Sequence, residues 1–440
     1  MTFVISYPNQ NGLYTIIDSL TEEIKDNIGV KQIRDTKKYP YRYEMFKNGT
    51  ATHDGLREYL KKFNSCCKEL RERKQAFVDY KKYYHNNIAV NQVFFENSRH
   101  FDFTALENIS MVELKWINKC PNGGIMYAKQ GEYKAFGYDF KSFYPRILGS
   151  RTDGFSFKFP TKQGKEHKFK KLSFNKSLKF GYYRVKITSD HPDSAKLFCF
   201  SKYNVYCNYS IEFVVNHLSA FGFRLELVVD GEPNAYIYDN DCLIESHKIF
   251  NSWYFKLSSM RKDFPKNMLL KDLMSSLSGH LMTYNTENLN MNDFQDEGKI
   301  NIHNTCYYMT NGNIPEDKEY AIFEAVNLDD EEQSYYKILD LKNPMKYPVG
   351  RFKSFLMAFS RNITATACLI DVENVVRIHT DGITFNKEQD FSKYTDIPKD
   401  FIFPEDKTTG TINFKNVNSY FHICGCGYSA KFEEFKNHSC

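Results

Sequence analysis

The stretch Phe136-Gly137-Tyr138-Asp139-Phe140-Lys141-Ser142-Phe143-Tyr144-Pro145-Arg146-Ile147-Leu148 decides how this chain is read. Aromatic and small residues lead into a lone carboxylate, and a hydroxyl, two aromatics and a proline follow it. That is the pattern of a buried strand ending in a sharp turn. By itself Asp139 reads as an ordinary turn residue. A second acidic turn changes the reading: Val375-Val376-Arg377-Ile378-His379-Thr380-Asp381-Gly382-Ile383-Thr384-Phe385 sets an Asp-Gly pair between two apolar runs. This is the mark of a tight hairpin with a carboxylate at its tip.

Two carboxylates on neighbouring strands of one sheet can bridge a pair of divalent ions, which activate one oxygen nucleophile and stabilise the oxygen that leaves. That is the chemistry of phosphoryl transfer. Between the acids lies Lys271-Asp272-Leu273-Met274-Ser275-Ser276-Leu277-Ser278-Gly279. Helical spacing predicts Lys271, Ser275 and Ser278 along one face, a cation and hydroxyls suited to a triphosphate. Taken without its neighbours, the run is an ordinary amphipathic helix.

In this order the three segments resemble the polymerase motifs of family B DNA polymerases, most of all the protein-primed branch used by some viruses and linear plasmids. The first matches Asp-x-x-Ser-Leu-Tyr-Pro with only Phe143 in place of leucine. The second matches Lys-x-x-x-Asn-Ser-x-Tyr-Gly, with Ser275 for asparagine and Ser278 for tyrosine. The third keeps only Thr380 and Asp381 of Tyr-x-Asp-Thr-Asp-Ser, and His379 stands where the family has an additional aspartate. The resemblance spans roughly residues 120 to 385.

The resemblance implies an α+β right-hand fold with an antiparallel palm sheet, helical fingers and a small thumb. Asp139 and Asp381 would be the catalytic residues and would hold two Mg2+ ions, with Mn2+ as a substitute. Lys271, Arg261, Lys266 and Ser275 would meet the triphosphate, and backbone amides around Ser142 and Phe143 would cradle its oxygens. Tyr144 would lie beneath the sugar and exclude a 2′-hydroxyl. Loss of the tyrosine at Ser278 implies lowered discrimination between correct and incorrect nucleotides. Pro121-Asn122-Gly123-Gly124 resembles the family's Tyr-x-Gly-Gly linker, so Gly123 and Gly124, with Thr380, are expected at DNA. Lys415 and Tyr420 resemble a displaced Lys-x-Tyr primer-binding pair. No Asp-x-Glu pair precedes Asp139, so the exonuclease common in the family is expected to be missing.

At 440 residues the chain has room for several lobes. The resemblance and the local patterns divide it into a partly helical, basic N-terminal region (1–118), a first palm segment with a branch-specific insertion (119–240), fingers (241–284), a polar insertion (285–345), a second palm segment (346–398) and a small thumb or zinc-binding tail (399–440). The first 50 residues, with Pro8, Gly12, Gly29 and Pro40, read as loop-rich. Leu56 to Tyr84, Leu243 to Lys262, Asn267 to Tyr284 and Gly350 to Asp371 read as helices.

A net charge of +5 is mild, so local clusters matter more than the total. Lys162, Lys165, Lys168, Lys170, Lys171, Lys176 and Lys179 make one such cluster, able to track a nucleic-acid backbone or simply to solvate a hairpin. The 31 tyrosines and 38 phenylalanines serve packing or base stacking equally well. Eleven scattered cysteines and a start without a basic, apolar leader point to a reducing compartment, the cytoplasm or a host-intracellular replication site. No membrane-spanning run is present, and no membrane partner is expected. Cys424, Cys426, His438 and Cys440 gather four zinc-type ligands at the end of the chain, against the alternative of reduced thiols.

The partners expected are primer-template DNA, deoxynucleoside triphosphates, a terminal priming protein and other replication proteins. Two other functions stay open: a catalytically silent, polymerase-derived DNA-binding or replication scaffold, and a primer-independent nucleotidyltransferase.

Overall fold

The structure is a computed structural model that describes residues 3–5, 13–18, 21–29, 42–44, 52–72, 86–151, 155–173, 178–290, 297–302, 305–309, 320–326, 335–393, 398 and 401–438. The chain divides into two compact units, one of residues 1–102 and 249–347, the other of residues 103–248 and 348–440.

The second unit carries both acidic turns, on an eight-stranded sheet. Its strands are β1 (Met126–Ala128), β2 (Gly131–Phe140), β3 (Val375–His379), β4 (Gly382–Phe385), β5 (Ile402–Pro404), β6 (Gly410–Asn416), β7 (Ser419–Ile423) and β8 (Ser429–Ala430). They run in the order β8-β7-β6-β2-β4-β3-β1, with β5 also paired to β2. Every pairing is antiparallel. The long strand β2 is the axis. One edge meets β4 along residues 136–139; the other meets β6 along residues 131–135 and β5 along 138–140.

The burial of β2 explains why. Glu132 and Lys134 are exposed, whereas Ala135, Gly137, Tyr138 and Phe140 are all buried, so the strand enters the core from its middle onward. Ala135, Val376, Ile412 and Phe414 then pack together, with Tyr133 and Tyr420 against them. Strands β6, β7 and β8 thus extend this sheet beyond β2.

After β2 the chain turns through Ser142, held at φ +52, into helix α1 (Phe143–Gly149). Pro145 sits in the first turn, where its missing N–H has no intrahelical partner to lose. Helix α2 (Lys353–Cys368) follows a short 3-10 turn at Pro348–Phe352, so the helix expected from Gly350 starts later. A five-stranded sheet (Lys165–His167, Gly181–Ser189, Val205–Cys207, Phe223–Leu227 and Ala235–Ile237) belongs to the same unit.

Arg351 locks this unit internally. With no exposed side-chain surface, it forms a two-pronged ion pair with Glu113, Nε to Oε1 at 2.7 Å and Nη2 to Oε2 at 2.9 Å. Nη1 donates to the carbonyls of Glu107 and Thr161, and the Tyr238 hydroxyl donates to Glu113 Oε1. A buried pair so fully hydrogen-bonded is tolerated where an unpaired charge would not be.

In the first unit the supposedly loop-rich start holds four short strands, Phe3–Ile5, Tyr14–Asp18, Ile24–Ile28 and Arg42–Glu44, in one sheet. The helix His53–Glu72 buries Leu56, Leu60, Phe63, Cys66, Cys67 and Leu70 on one stripe. Its outward Lys62 pairs with Glu58 at 2.6 Å and Lys68 with Glu72 at 3.8 Å, so part of its positive charge is answered within the helix. Residues 73–84 of the predicted helix lie outside the described residues. The region 285–345, read as a polar insertion, contains strands at Thr286–Asn290, Glu297–Ile302, Thr305–Met309, Tyr320–Val326 and Tyr335–Asp340. Its acidic run at 329–332 also lies outside the described residues.

Candidate active site

The sheet brings Asp139 and Asp381 to the same end of two adjacent strands. Asp139 is the penultimate residue of β2 and pairs with Gly382, the residue after Asp381. The Phe140 N–H donates to the Asp381 carbonyl at 3.1 Å. A Cβ placed on Gly382 would lie 3.8 Å from Asp139 Oδ1, so the Asp139 carboxylate leans over the start of β4. Both acids are half-buried.

The turn that carries Asp381 is built by its neighbours. Thr380 adopts φ +56, an uncommon conformation for a residue branched at Cβ. Its hydroxyl lies 2.7 Å from both Asp381 Oδ1 and the His379 carbonyl, so one proton is shared between the carboxylate and the turn's own backbone. Its N–H donates to the Ile125 carbonyl at 3.0 Å, and its own carbonyl accepts from Thr364 Oγ1 on α2 at 3.2 Å. Thr380 therefore ties the turn that carries Asp381 to Ile125 and to α2.

Gly124 serves the same turn. A Cβ there would come within 2.9 Å of Thr380 Cα, Cβ and Cγ2, so only glycine permits this approach. Buried Arg361 of α2 donates to the Pro121 carbonyl at 3.0 Å and the Gly123 carbonyl at 2.6 Å, pinning the glycine turn from behind. On the other strand Gly137 has no space for a Cβ, which would meet Thr408 Oγ1 at 1.7 Å. Its N–H is taken by Thr409 Oγ1 at 2.9 Å. Sequence reasoning missed Arg361, Thr364, Thr408 and Thr409. They act through backbone carbonyls and amides, and such contacts leave no spacing to read.

Tyr144 lies near Asp381. Burial pushes its hydroxyl up to about 12, the negative charge of Asp381 adds to the rise, and the Ser360 hydroxyl and Arg361 oppose it. The phenol therefore stays protonated and neutral at physiological pH. The Lys353 ammonium stands 6.0 Å from the centre of its ring, and burial lowers the Lys353 pKa. Phe143 points elsewhere: 2% exposed, it stacks on Phe140 at 4.7 Å between ring centres and packs against Phe401. Its side chain belongs to the core, which leaves only its backbone for a ligand.

Among the described residues no third carboxylate, thiol or imidazole joins Asp139 and Asp381 to complete a three-ligand metal set. His379, at the position of the family's extra acid, is turned to Asn418 Oδ1 at 3.1 Å. Two hard oxygen donors without a full cage suit Mg2+, which keeps waters and completes its shell on substrate phosphates.

Arg261, Lys266, Lys271 and Ser275 belong to the first unit. The helix expected from Asn267 to Tyr284 stops at Ser275, and a separate turn of helix runs from Leu277 to His280. Asn267 caps the first of these, accepting from the Leu270 N–H at 3.3 Å. Lys271 and Ser275 are exposed one turn apart, with Ser275 Oγ donating to the Lys271 carbonyl at 2.9 Å. Ser278 is 6% exposed and turned inward, so the predicted three-residue face is a two-residue one; the break after Ser275 resets the helical phase. Lys266 is exposed, whereas Arg261 is half-buried and its pKa is lowered by that burial.

Lys415 is exposed on β6. The Tyr420 ring on β7 instead packs under the Arg377 guanidinium, 4.9 Å from its centre. Of the lysine cluster, Lys162, Lys165, Lys168, Lys170, Lys171 and Lys179 are all exposed; Lys176 lies outside the described residues. Cys424, Cys426 and His438 come together, and Cys440 lies outside the described residues. No described helix is long and apolar enough to cross a membrane.

No protein-family model matches the sequence, and no curated protein matches it either. Solved structures do. Phi29 DNA polymerase complexed with primer-template DNA, in a post-translocation binary complex, superposes with a TM-score of 0.51 at 12% identity, covering 95% of this chain and 72% of that one. The same polymerase complexed with single-stranded DNA gives 0.50 at 12% identity with the same coverage. Its ternary complex with primer-template DNA and incoming nucleotide substrates gives 0.49 at 13%; there the match covers 81% of this chain but only 59% of that one. The chain thus has a mixed helix and sheet fold with antiparallel sheets, similar to that of Phi29 DNA polymerase.

Proposed function

We propose that this chain is a template-directed DNA polymerase of the protein-primed family B type, which adds deoxynucleotides to a 3′-hydroxyl on DNA or to a hydroxyl on a priming protein. The observation that carries the reading is the strand pairing that sets Asp139 opposite Gly382 and so next to Asp381, in a fold like that of a known polymerase. The eight-stranded sheet is then the palm, the helices His247–Asp263 and Met268–Ser275 the fingers, and strands β6 to β8 stand in place of a thumb.

Asp139 and Asp381 would hold two Mg2+ ions, with Mn2+ as a substitute; such ions acidify the attacking hydroxyl and offset charge on the departing pyrophosphate. Thr380 and Gly124 hold Asp381 in place. Tyr144, neutral and partly buried, would lie under the sugar of the incoming nucleotide, where its ring leaves no room for a 2′-hydroxyl. Lys271, Ser275, Arg261 and Lys266 would meet the triphosphate, and backbone amides around Ser142 and Phe143 would hold its oxygens. The exposed lysines between 162 and 179, together with Lys415, would follow the DNA backbone. No Asp-x-Glu pair precedes Asp139, so the reading assigns no proofreading activity to these residues.

Extension assays with Mg2+ test this. A templated DNA primer and a templated protein hydroxyl are offered in parallel, each with deoxynucleotides or ribonucleotides. The expected result is templated incorporation on at least one primer, with deoxynucleotides preferred. Incorporation that needs neither primer nor template would replace the reading by a primer-independent nucleotidyltransferase.

A further inference from the structure

The end of the chain holds a second group of ligating side chains whose chemistry differs from that of the acids. Strand β7 ends at Ile423 and β8 begins at Ser429; between them the chain turns through Cys424-Gly425-Cys426-Gly427. Gly427 at φ +90 permits the turn, and it is closed by the Cys424 N–H to the Tyr428 carbonyl at 2.8 Å and the Gly427 N–H to the Cys424 carbonyl at 2.9 Å. A short helix, α3 (Phe432–Phe435), then leads to His438. The ligand atoms of Cys424, Cys426 and His438 all lie within 4.8 Å of one another, and Cys426 Sγ is 3.1 Å from His438 Nε2. Bond lengths of about 2.3 Å to sulfur and 2.0 Å to nitrogen place ligands on a tetrahedral zinc roughly 3.5 Å apart, so this spacing fits.

The ligands are also held. The His438 ring stacks on Tyr428 at 4.1 Å between centres and 20° between planes, while its Nε2 faces Cys426 Sγ. His422 on β7 packs against Phe432 and Phe435, the contact between α3 and the strands. So small an appendage buries little of its own, the usual setting for a metal staple.

We propose that Cys424, Cys426 and His438 bind zinc. Thiolate and imidazole donors favour that ion over magnesium. Cys424 is disulfide-bonded in this structure, whereas Cys426 is free. Loading therefore begins with reduction. Two equivalents of a small thiol give up two electrons and two protons, break that disulfide, leave two protein thiols and emerge as their own disulfide. Zinc then displaces the protons of Cys424 and Cys426. The site is thereby closed to metal when oxidised and open when reduced.

The test uses the full chain without DNA or nucleotides, so its result is independent of polymerase activity. Protein reduced with excess thiol is supplied with zinc, desalted under reducing conditions and assayed for metal. About one zinc per chain is expected, with a loss of at least tenfold in Cys426→Ser and in His438→Ala. As a control for folding, Co2+ loaded in place of zinc should give a sulfur-to-cobalt charge-transfer band in the wild type that Cys426→Ser weakens. Reduced wild type that retains no zinc, or variants that retain as much as wild type, would overturn the proposal.

Discussion

Gly124 has no side chain, yet it decides where Asp381 stands. Alanine there would press its Cβ to 2.9 Å from three atoms of Thr380, and those atoms belong to the turn rather than to a flexible side-chain tip. The turn must shift, and the contact of Thr380 Oγ1 with Asp381 Oδ1 shifts with it. Gly124→Ala is expected to lower kcat by at least about tenfold, since small misplacements at a reacting centre are expensive. The loss of stability should stay within the ~1–3 kcal/mol typical of overpacking. Paired kinetics and urea unfolding check this; an unchanged kcat would show that the turn tolerates the shift. At this scale the acids were legible in the sequence because each is a lone carboxylate between apolar runs. Arg361 and Thr364 were not, because their hydrogen bonds end on backbone carbonyls that any residue could supply.

At the scale of elements, long patterned segments read correctly and interruptions did not. The stripe of Leu56, Leu60, Phe63, Cys67 and Leu70 announces its helix through its period. The break between Ser275 and Leu277 carries no proline, so nothing in the residues marks it, and the inward turn of Ser278 could not be foreseen. The four N-terminal strands are three to five residues long and set among glycines and prolines, too short for alternation to show. The element Asn208–Asn216 ends at His217, whose ring packs on Phe213 at 4.5 Å; burial lowers its pKa below the usual 6.5. The unfolded chain therefore takes up a proton that the folded imidazole resists. The stabilising contribution of neutral His217 is present above pH 6.5 and is lost as pH falls through the lowered folded value. Urea midpoints from pH 7.5 to 5.5 should fall less steeply in His217→Gln than in the wild type. Parallel slopes would mean that His217 titrates alike in both states.

Over the molecule, distant segments are joined by contacts that composition and net charge do not reveal. The ion pair of Glu113 and Arg351 ties the segment at 107–113 to the entrance of α2 and to Tyr238, with both side chains at 0% exposure. Arg351→Met strands a buried carboxylate and is expected to cost about 3–5 kcal/mol. Adding Glu113→Leu should restore part of that loss, because an apolar pair needs no partner charge. Denaturant unfolding of the two variants decides it, and a double variant less stable than the single one would contradict the assignment.

The coarse fold, helices with antiparallel sheets similar to those of a known polymerase, was legible because three motifs in order resemble those of a polymerase. The sheet order was not, since β6 and β5 share one edge of β2 through pairings distant in sequence. The central claim is that Asp139 and Asp381 work as one metal-holding pair. Mg2+-dependent primer extension by wild type, Asp139→Asn and Asp381→Asn tests it most directly. The account predicts activity in the wild type, a loss of about 10³-fold or more in each variant, and unchanged folding by circular dichroism. Equal, negligible extension by all three would contradict it and mark the chain as a silent relative that keeps the fold.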